Sequence, residues 1–269
     1  MSVVGCIMPP VCGAAVPEKE WPAYHGGPAG DHYSPLAQIN RRNVRDMVEA
    51  WRFDMGPGGL QTSPIMVGRT LYGLAPNLNV LALDAATGTL KWKFDAGIPG
   101  TQPSRGLSYW RSGEDERLLV GIMNRLYAIS PKTGEPIPTF GQGGYVDLRA
   151  GIGEEGARLA VYLTSPGVIH DDLIIVGFRT SEGPPAARGA ITAYDVRTGA
   201  LRWTFKTIPD PGQPGSETWP AGYETNAGGA NDWAGVVLDE KRGIVYAPTG
   251  SAVSDFYGAD RHGDNLYAN

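Results

Sequence analysis

The fold is decided by a stretch that occurs twice, Ala82-Leu-Asp84-Ala-Ala-Thr87-Gly88-Thr-Leu-Lys-Trp92 and Ala193-Tyr-Asp195-Val-Arg-Thr198-Gly199-Ala-Leu-Arg-Trp203. A degenerate third copy is Ala128-Ile-Ser130-Pro-Lys-Thr133-Gly134-Glu. In each copy a strand of alternating residues runs into a turn, where Asp or Ser can bond the backbone two residues on. The Thr-Gly pair then provides the residue that adopts positive φ. Each copy therefore predicts a β-hairpin, and their recurrence predicts a repeat architecture.

A strand with tryptophan and phenylalanine two residues apart occurs three times: Trp51-Arg-Phe53, Trp92-Lys-Phe94 and Trp203-Thr-Phe205. Because strands have a period of two, each Trp and Phe should face inward and the residue between them outward. The repeats predict an all-β fold, a β-propeller with about four four-stranded blades near residues 60–95, 105–141, 160–207 and from 230 onward. A β-sandwich with coincident motifs is the alternative. One segment, 43–51, has apolar residues at helical spacing.

The composition supports many short strands joined by turns and excludes some functions. The chain has 38 Gly, 22 Pro, 12 Tyr and 7 Trp, which suits strands and tight turns. The net charge is −5, and Arg41-Arg42 is the one adjacent basic pair considered for nucleic acid. A solvated surface pair explains it better, so we expect no nucleic-acid partner.

Both cysteines, Cys6 and Cys12, lie at the start of the chain, which excludes a disulfide framework in the globular part. Residues 3–16 are small and apolar and resemble the end of a secretory signal, and residues 3–6 loosely resemble a lipoprotein cleavage box. We therefore expect residues 1–18 to be a leader remnant or a disordered start. Residues 19–269 then form a partial β-propeller domain, and we expect the protein in the periplasm. Any attachment to the inner membrane would be through a lost anchor or a lipid.

Four motifs in order carry a resemblance to a known family. They are Trp21-Pro-Ala-Tyr24 with the following His32-Tyr-Ser-Pro-Leu36, Arg105-Gly-Leu-Ser-Tyr-Trp110, Thr164-Ser-Pro166 and Asn231-Asp-Trp-Ala234. Together they resemble the pyrroloquinoline-quinone (PQQ)-dependent dehydrogenases. The resemblance implies an eight-bladed ring with PQQ and a Ca²⁺ or Mg²⁺ ion in its central channel. It also implies that this chain corresponds to the N-terminal half of that ring.

The branch of the family is indicated by a missing cysteine pair. Alcohol-oxidising members carry vicinal cysteines shortly before the Arg-Gly motif, whereas this chain reads Gly100-Thr-Gln-Pro-Ser104. This pattern resembles the membrane-type glucose, quinate and polyol dehydrogenases. The resemblance implies oxidation of a sugar, polyol or cyclic alcohol, glucose before the others, with ubiquinone or another respiratory acceptor receiving the electrons.

The candidate cofactor residues are Arg105, Thr164, Ser165 and Trp233. A planar tricarboxylate needs a fixed cation, and the Arg105 guanidinium suits bidentate pairing with a carboxylate or quinone oxygen. By resemblance, Thr164 or Ser165 donates a hydroxyl to a carboxylate. Trp233 stands outside the repeated strands, which fits a ring stacked on the cofactor. The structural alternatives are an inter-blade ion pair for Arg105, a strand start for Thr164-Ser165 and a packing role for Trp233.

The resemblance places metal ligands at Glu182 and Ser251, with a solvated loop glutamate and a turn serine as alternatives. The four histidines show no metal-binding spacing. The family's catalytic base is an aspartate that would lie beyond Asn269, and Asp84 and Asp195 belong to turns. We therefore assign no catalytic residue, and we expect the 269-residue chain alone not to oxidise substrate.

A second hypothesis is a binding module, a quinone-free propeller lipoprotein that scaffolds outer-membrane protein assembly. The segment around Cys6 and the turn repeats fit this class. It has no use, however, for the Trp21–Val44 entry motif, for Arg105 or for the Asn-x-Trp of Asn231 and Trp233. The enzyme lineage therefore explains more of the sequence, and PQQ titration distinguishes the two hypotheses.

Overall fold

The computed structural model describes residues 2–7, 20–152 and 158–268, with the backbone alone for residues 2–7. These residues form strands joined by turns and short 3-10 helices. The strands are β1 Ser2–Ile7, β2 Val48–Asp54, β3 Ile65–Val67, β4 Thr70–Leu74, β5 Val80–Asp84, β6 Leu90–Phe94, β7 Ser108–Ser112, β8 Asp115–Ile122, β9 Arg125–Ile129, β10 Tyr145–Asp147, β11 Val161–Tyr162, β12 Val168–His170, β13 Leu173–Val176, β14 Arg179–Thr180, β15 Ala190–Asp195, β16 Leu201–Lys206, β17 Val237–Asp239 and β18 Ile244–Tyr246. The 3-10 helices are Tyr24–Gly26, Val44–Asp46, Leu148–Ile152, Ser216–Thr218 and Tyr223–Thr225.

Three antiparallel four-stranded sheets succeed one another along the chain. Their strand orders are β3-β4-β5-β6, β7-β8-β9-β10 and β12-β13-β15-β16, and a two-stranded sheet of β17 and β18 follows. These three sheets lie in the predicted blade ranges, except that β10 lies beyond the predicted end of the second blade at 141, and the all-β architecture is confirmed. The fourth sheet differs from the expectation, because it has two strands in the described part of the chain rather than four.

Successive sheets pack face to face, as blades do. In β8, Leu118 and Val120 join the core cluster shared with the first sheet, whereas Leu119 joins the cluster shared with the third. Because neighbouring residues of a strand point to opposite faces, the middle sheet is buried on both sides. Among the described residues, no helix is long and apolar enough to cross a bilayer.

The repeat turns have the geometry that the sequence predicts. Asp84 Oδ1 accepts hydrogen bonds from the N–H groups of Ala86 and Thr87, at 3.1 Å each, and Gly88 has a φ of +70°. Burial acts to raise the pKa of Asp84, but these bonds and the Thr87 hydroxyl lower it overall. Asp195 makes the same turn. Both aspartates are thus structural, as expected.

The tryptophan strands join one sheet to the next. Trp51 Nε1 donates to the Ala85 carbonyl at 3.0 Å, and Trp92 Nε1 donates to the Pro131 carbonyl at 2.9 Å. A Cβ atom on Gly88 would lie 2.5 Å from the Trp51 ring, and one on Gly134 would lie 2.5 Å from the Trp92 ring. The glycines of the repeat therefore serve two purposes, a positive φ and close contact with the indole of the preceding strand.

The third tryptophan strand departs from the predicted pattern. Trp203 is 39% exposed and Phe205 45% exposed, and both line an open cavity of about 620 Å³ with Val245 and Tyr267. No repeat turn packs on Trp203 within the described residues, which leaves this face of β16 against a partly filled cavity. The expectation that every Trp and Phe of these strands points inward is therefore wrong for β16.

The predicted helical segment 43–51 is mostly extended. One 3-10 turn covers Val44–Asp46, and β2 begins at Val48 and pairs with β1. Val44 and Val48 are exposed, so the apolar stripe of a helix would have nothing to pack against, whereas β2 places Trp51 on the first repeat turn. Of the predicted leader segment 1–18, residues 2–7 form β1, and 8–18 lie outside the described residues.

Candidate functional site

A cavity of about 420 Å³ lies where loops of the second, third and fourth sheets converge. Its size is in the usual range of small-molecule sites, about 300–1,000 Å³. The lining residues come from the loops before β7 and after β11, from β14 and its following loop, and from the segments on both sides of the β17–β18 hairpin. They are Pro103, Arg105, Thr164, Arg179, Thr180, Ser181, Glu182, Gly229, Asn231, Trp233, Gly250, Ser251, Val253 and Asp255. Five of the six residues proposed from the sequence are among them, and the buried Ser165 is not.

Arg105 is fixed by its backbone and is unsatisfied at its side chain. Its carbonyl accepts from the Ser63 N–H at 2.8 Å, and its N–H donates to the Thr164 carbonyl at 2.9 Å. The guanidinium carbon lies 5.0 Å from the centroid of the Trp233 ring. Its Nη1 atom is buried without a hydrogen-bond partner among the described residues. A buried, permanently charged donor of this kind calls for an acceptor, and the cavity is where one can bind.

Trp233 is held by the two hydroxyls that the sequence pointed to. Thr164 Oγ1 donates to the Trp233 carbonyl at 3.0 Å and Ser165 Oγ donates to the same oxygen at 2.8 Å. Both hydroxyl side chains are buried, whereas the Trp233 residue is 47% exposed. Thr164 and Ser165 therefore fix the backbone beneath the indole, and the ring is left available to a ligand.

Asp232 precedes Trp233 in the chain and carries a buried carboxyl. It is 1% exposed, its Oδ1 accepts from the Gly235 N–H at 2.9 Å, and its Oδ2 is buried without a partner in the described structure. Burial raises the pKa of Asp232 to about 6, although the N–H groups of Gly235 and Ala234 act to lower it. Asp232 shapes the turn that presents Trp233, and its charge titrates near neutral pH.

The two predicted metal ligands both line the cavity, but one is already paired. Glu182 Oε1 accepts from Arg179 Nη2 at 3.0 Å, and Ser251 offers a single neutral hydroxyl. The described residues contain no group of three or more His, Cys, Asp or Glu side chains that could hold a metal ion. Ca²⁺ requires about six to eight oxygen ligands. The donor set therefore does not fit a divalent cation while Arg179 holds Glu182.

The same cavity does fit a planar anionic ligand. It combines the Arg105 guanidinium, whose buried Nη1 atom has no partner among the described residues, with the half-exposed Trp233, and Asn231 lines the same cavity. Asn231 Nδ2 donates to Thr180 Oγ1 at 2.7 Å, so its amide is held in place. A fixed cation next to an aromatic surface is the arrangement that a conjugated carboxylate such as PQQ needs.

The sequence did not point to two residues at the cavity, Arg179 and Asp232. The available signal for Arg179 was a cation two residues after Gly177, at the end of a strand. Asp232 was quoted within a motif, but nothing in the sequence showed that its carboxyl is buried. A Cβ on Gly177 would lie 2.4 Å from the Asp232 carbonyl oxygen, and this close contact between distant segments becomes visible only in the fold.

Comparison with known proteins shows the family to which the chain is similar. Residues 21–269 match the family model described as "PQQ: Glucose/ethanol/alcohol dehydrogenase, beta-propeller domain". The chain is 31% identical to quinoprotein glucose dehydrogenase A of Acinetobacter calcoaceticus, over 91% of this chain and 35% of that protein. It is 30% identical to a quinate/shikimate dehydrogenase (quinone) of Acinetobacter baylyi, over 91% of this chain and 34% of that protein.

A solved structure of quinohemoprotein alcohol dehydrogenase from Comamonas testosteroni superposes with a TM-score of 0.77 at 26% identity, covering 92% of this chain and 38% of that one. The chain thus spans about a third of the length of the curated relatives it matches. The sheets described above are therefore propeller blades, as the repeats predict. With a family model covering nearly the whole sequence, the chain belongs to the PQQ-dependent glucose/ethanol/alcohol dehydrogenase β-propeller family.

Proposed function

We propose that this chain is part of a quinoprotein oxidoreductase and that PQQ binds in the cavity between Arg105 and Trp233. The observation that carries the proposal is the Arg105 guanidinium, whose carbon lies 5.0 Å from the centroid of the Trp233 ring and whose buried Nη1 atom has no partner among the described residues. A buried charged donor atom without an acceptor is costly unless a ligand provides one. Membership of the family identifies the ligand class that it would receive.

Each residue has a defined part in this proposal. Arg105 donates to a carboxylate or quinone oxygen of the cofactor, and Trp233 packs against the plane of its rings. Thr164 and Ser165 act through the Trp233 carbonyl, which keeps the indole at the correct depth. When bound, PQQ supplies the two-electron acceptor for a substrate alcohol, and the protein binds and orients the reactants.

The substrate that we propose is a sugar, polyol or cyclic alcohol, glucose before the others. The support is the identity to relatives named as glucose and quinate/shikimate dehydrogenases, together with the absence of cysteine near Arg105. A quinone is the proposed electron acceptor, since one of these relatives carries that acceptor in its name. The proposed location is the periplasm, based on the resemblance of residues 3–16 to a secretory signal.

The divalent cation stays a prediction from the family resemblance and is not part of this proposal. Of its two predicted ligands, Glu182 is paired with Arg179 and Ser251 is uncharged. The proposal therefore rests on groups that bind the organic cofactor directly.

The test is a titration of PQQ into the purified chain, followed by quinone absorbance and by tryptophan fluorescence. We expect a saturable absorbance shift and quenching of fluorescence, with the quenching reduced in Trp233→Phe. A scaffold lipoprotein would have no PQQ site, so the absence of both signals would favour the binding-module hypothesis instead.

A further inference from the structure

A second arginine enters the cavity beside the predicted metal ligand. Arg179 is the first residue of β14, and its Nη2 atom donates to Glu182 Oε1 at 3.0 Å. Both side chains line the cavity that also contains Arg105. The Glu182 side chain is 70% exposed and that of Arg179 is 39% exposed, so the pair lies at the open side of the cavity.

The guanidinium and a divalent cation are alternatives at this position. A guanidinium is always protonated and has five N–H donors but no acceptor, so it can neither ligate a metal nor lose its charge to make room. A cation bound at Glu182 would lie next to a like charge and would have to displace Arg179 from its carboxylate. Ser251 and the Asn231 amide are neutral, and the other carboxylate of the cavity wall is that of Asp255, whose N–H donates to the Glu182 carbonyl at 3.1 Å. One carboxylate with these neutral groups provides fewer oxygen ligands than the six to eight that Ca²⁺ takes.

The Arg179 guanidinium can also provide the positive charge that a metal cation would provide to an anionic ligand. Its planar N–H groups match a carboxylate or adjacent carbonyl oxygens in bidentate geometry. Unlike Ca²⁺, it is covalently attached and needs no set of six to eight oxygen ligands. Arg105 and Arg179 then bring two guanidinium groups to the cavity from different segments, before β7 and in β14, while its carboxylates are Glu182, which is paired with Arg179, and Asp255.

We propose that Arg179 takes the place of the divalent cation, so that this cavity binds its anionic planar ligand without a metal ion. The inference rests on the proposed function, in which that ligand is PQQ. It separates this chain from the metal-dependent pattern that the family resemblance implies for Glu182 and Ser251.

Terbium luminescence tests the cation half of the inference without PQQ, because Tb³⁺ takes oxygen ligands as Ca²⁺ does and is sensitised by nearby indoles such as Trp233. We expect no saturable signal from the wild-type chain and a signal from Arg179→Gln that disappears in Arg179→Gln/Glu182→Gln. The matched control is Arg242→Gln, which breaks another Arg–carboxylate pair three residues apart, at 2.6 Å from Asp239 and outside the cavity. It should behave as the wild type.

Two terbium results would overturn the inference. One is a wild-type signal that Glu182→Gln abolishes, which would show that Arg179 does not keep metal from the site. The other is an Arg179→Gln variant that folds, by circular dichroism, but gains no signal.

PQQ titration in a chelating buffer and in a calcium buffer tests the ligand half. We expect the wild-type Kd for PQQ to be the same in both buffers. In the chelating buffer, Arg179→Gln should bind PQQ at least about tenfold more weakly, because it loses one charge-assisted hydrogen bond. Calcium should then restore much of the affinity of the variant. Arg179→Lys keeps the positive charge but loses the planar guanidinium. Its Kd for PQQ in the chelating buffer should lie between those of the wild type and Arg179→Gln.

The failures of the two proposals are distinguishable. Wild-type binding that appears only with calcium would contradict the inference and leave the proposed function intact. If PQQ does not bind in either buffer, the proposed function is wrong, and the terbium series still decides whether Arg179 excludes the cation.

Discussion

Arg105 and Asp232 are charged residues near the cavity whose buried polar atoms the fold leaves incompletely paired. Arg105 has one buried nitrogen and Asp232 one buried oxygen without partners among the described residues, and both lie against the Trp233 segment. Most buried polar atoms in proteins are paired, so exceptions concentrate where a ligand or a proton completes the set. The cavity floor is such a place.

Replacing Arg105 with Gln should weaken PQQ binding about 10- to 150-fold, the effect of losing a charged hydrogen bond of about 1.5–3 kcal/mol. Arg105→Lys should recover only part of the affinity, because the ammonium lacks the planar fork. Fluorescence titration measures both. Arg111→Gln, an exposed arginine of β7, is the control, and equal binding by the Arg105 and Arg111 variants would contradict the assigned role.

Asp232 should make the free energy of unfolding decrease as the pH rises. Its pKa is raised in the folded state, from 3.8 to about 6, so the folded chain retains the proton longer than the unfolded chain does. Asp232 therefore makes its full contribution to the free energy of unfolding below about pH 4. That contribution falls as the pH rises through about 6, and the total loss is about 3 kcal/mol.

Asp232→Asn should remove that dependence, because the neutral amide keeps an oxygen for the Gly235 N–H. Urea unfolding at several pH values measures it. The difference between wild type and variant isolates this residue, since Asp84 and Asp195, whose pKa values are lowered, affect both chains equally below about pH 4. Parallel stability curves for the two chains would show that the Asp232 carboxyl is not perturbed.

At the level of elements, one sheet contacts the next where a tryptophan side chain packs on the Thr-Gly turn of the next sheet. The repeat predicts the hairpin, but it does not reveal that the same glycine receives the indole of the preceding strand. This contact depends on how the sheets stack, which sequence periodicity does not specify. It also explains why the exposed Trp203 and Phe205 could not be recognised from a pattern identical to the others.

Gly134→Ala should destabilise the chain more than Gly113→Ala does. Both glycines have positive φ, +77° and +60°, so alanine costs each about 1–2 kcal/mol. A Cβ at Gly134 also meets the Trp92 ring at 2.5 Å, whereas one at Gly113 meets nothing within 4 Å. We expect roughly 1–3 kcal/mol of additional loss for Gly134→Ala by urea unfolding. Equal losses would mean that the indole does not pack on the turn.

At the scale of the molecule, the sequence predicted the order of the blades and five of the residues that line the cavity. Arg105, Thr164, Glu182, Trp233 and Ser251 are far apart in sequence, and the resemblance alone selected them before any geometry. The hydrogen bonds of Thr164 and Ser165 to the Trp233 carbonyl, and the pairing of Glu182 with Arg179, depend on side-chain positions that no motif encodes. A motif identifies the position of a residue, and packing decides which partner it has there.

The central claim is that the cavity between Arg105 and Trp233 is the PQQ site, and a crystal structure of this chain grown with PQQ tests it most directly. We predict density for the tricyclic quinone against the Trp233 ring, with Arg105 Nη1 within hydrogen-bond distance of one of its oxygens. Density for PQQ elsewhere, or an Arg105 side chain paired with protein atoms while this cavity holds only solvent, would contradict the account.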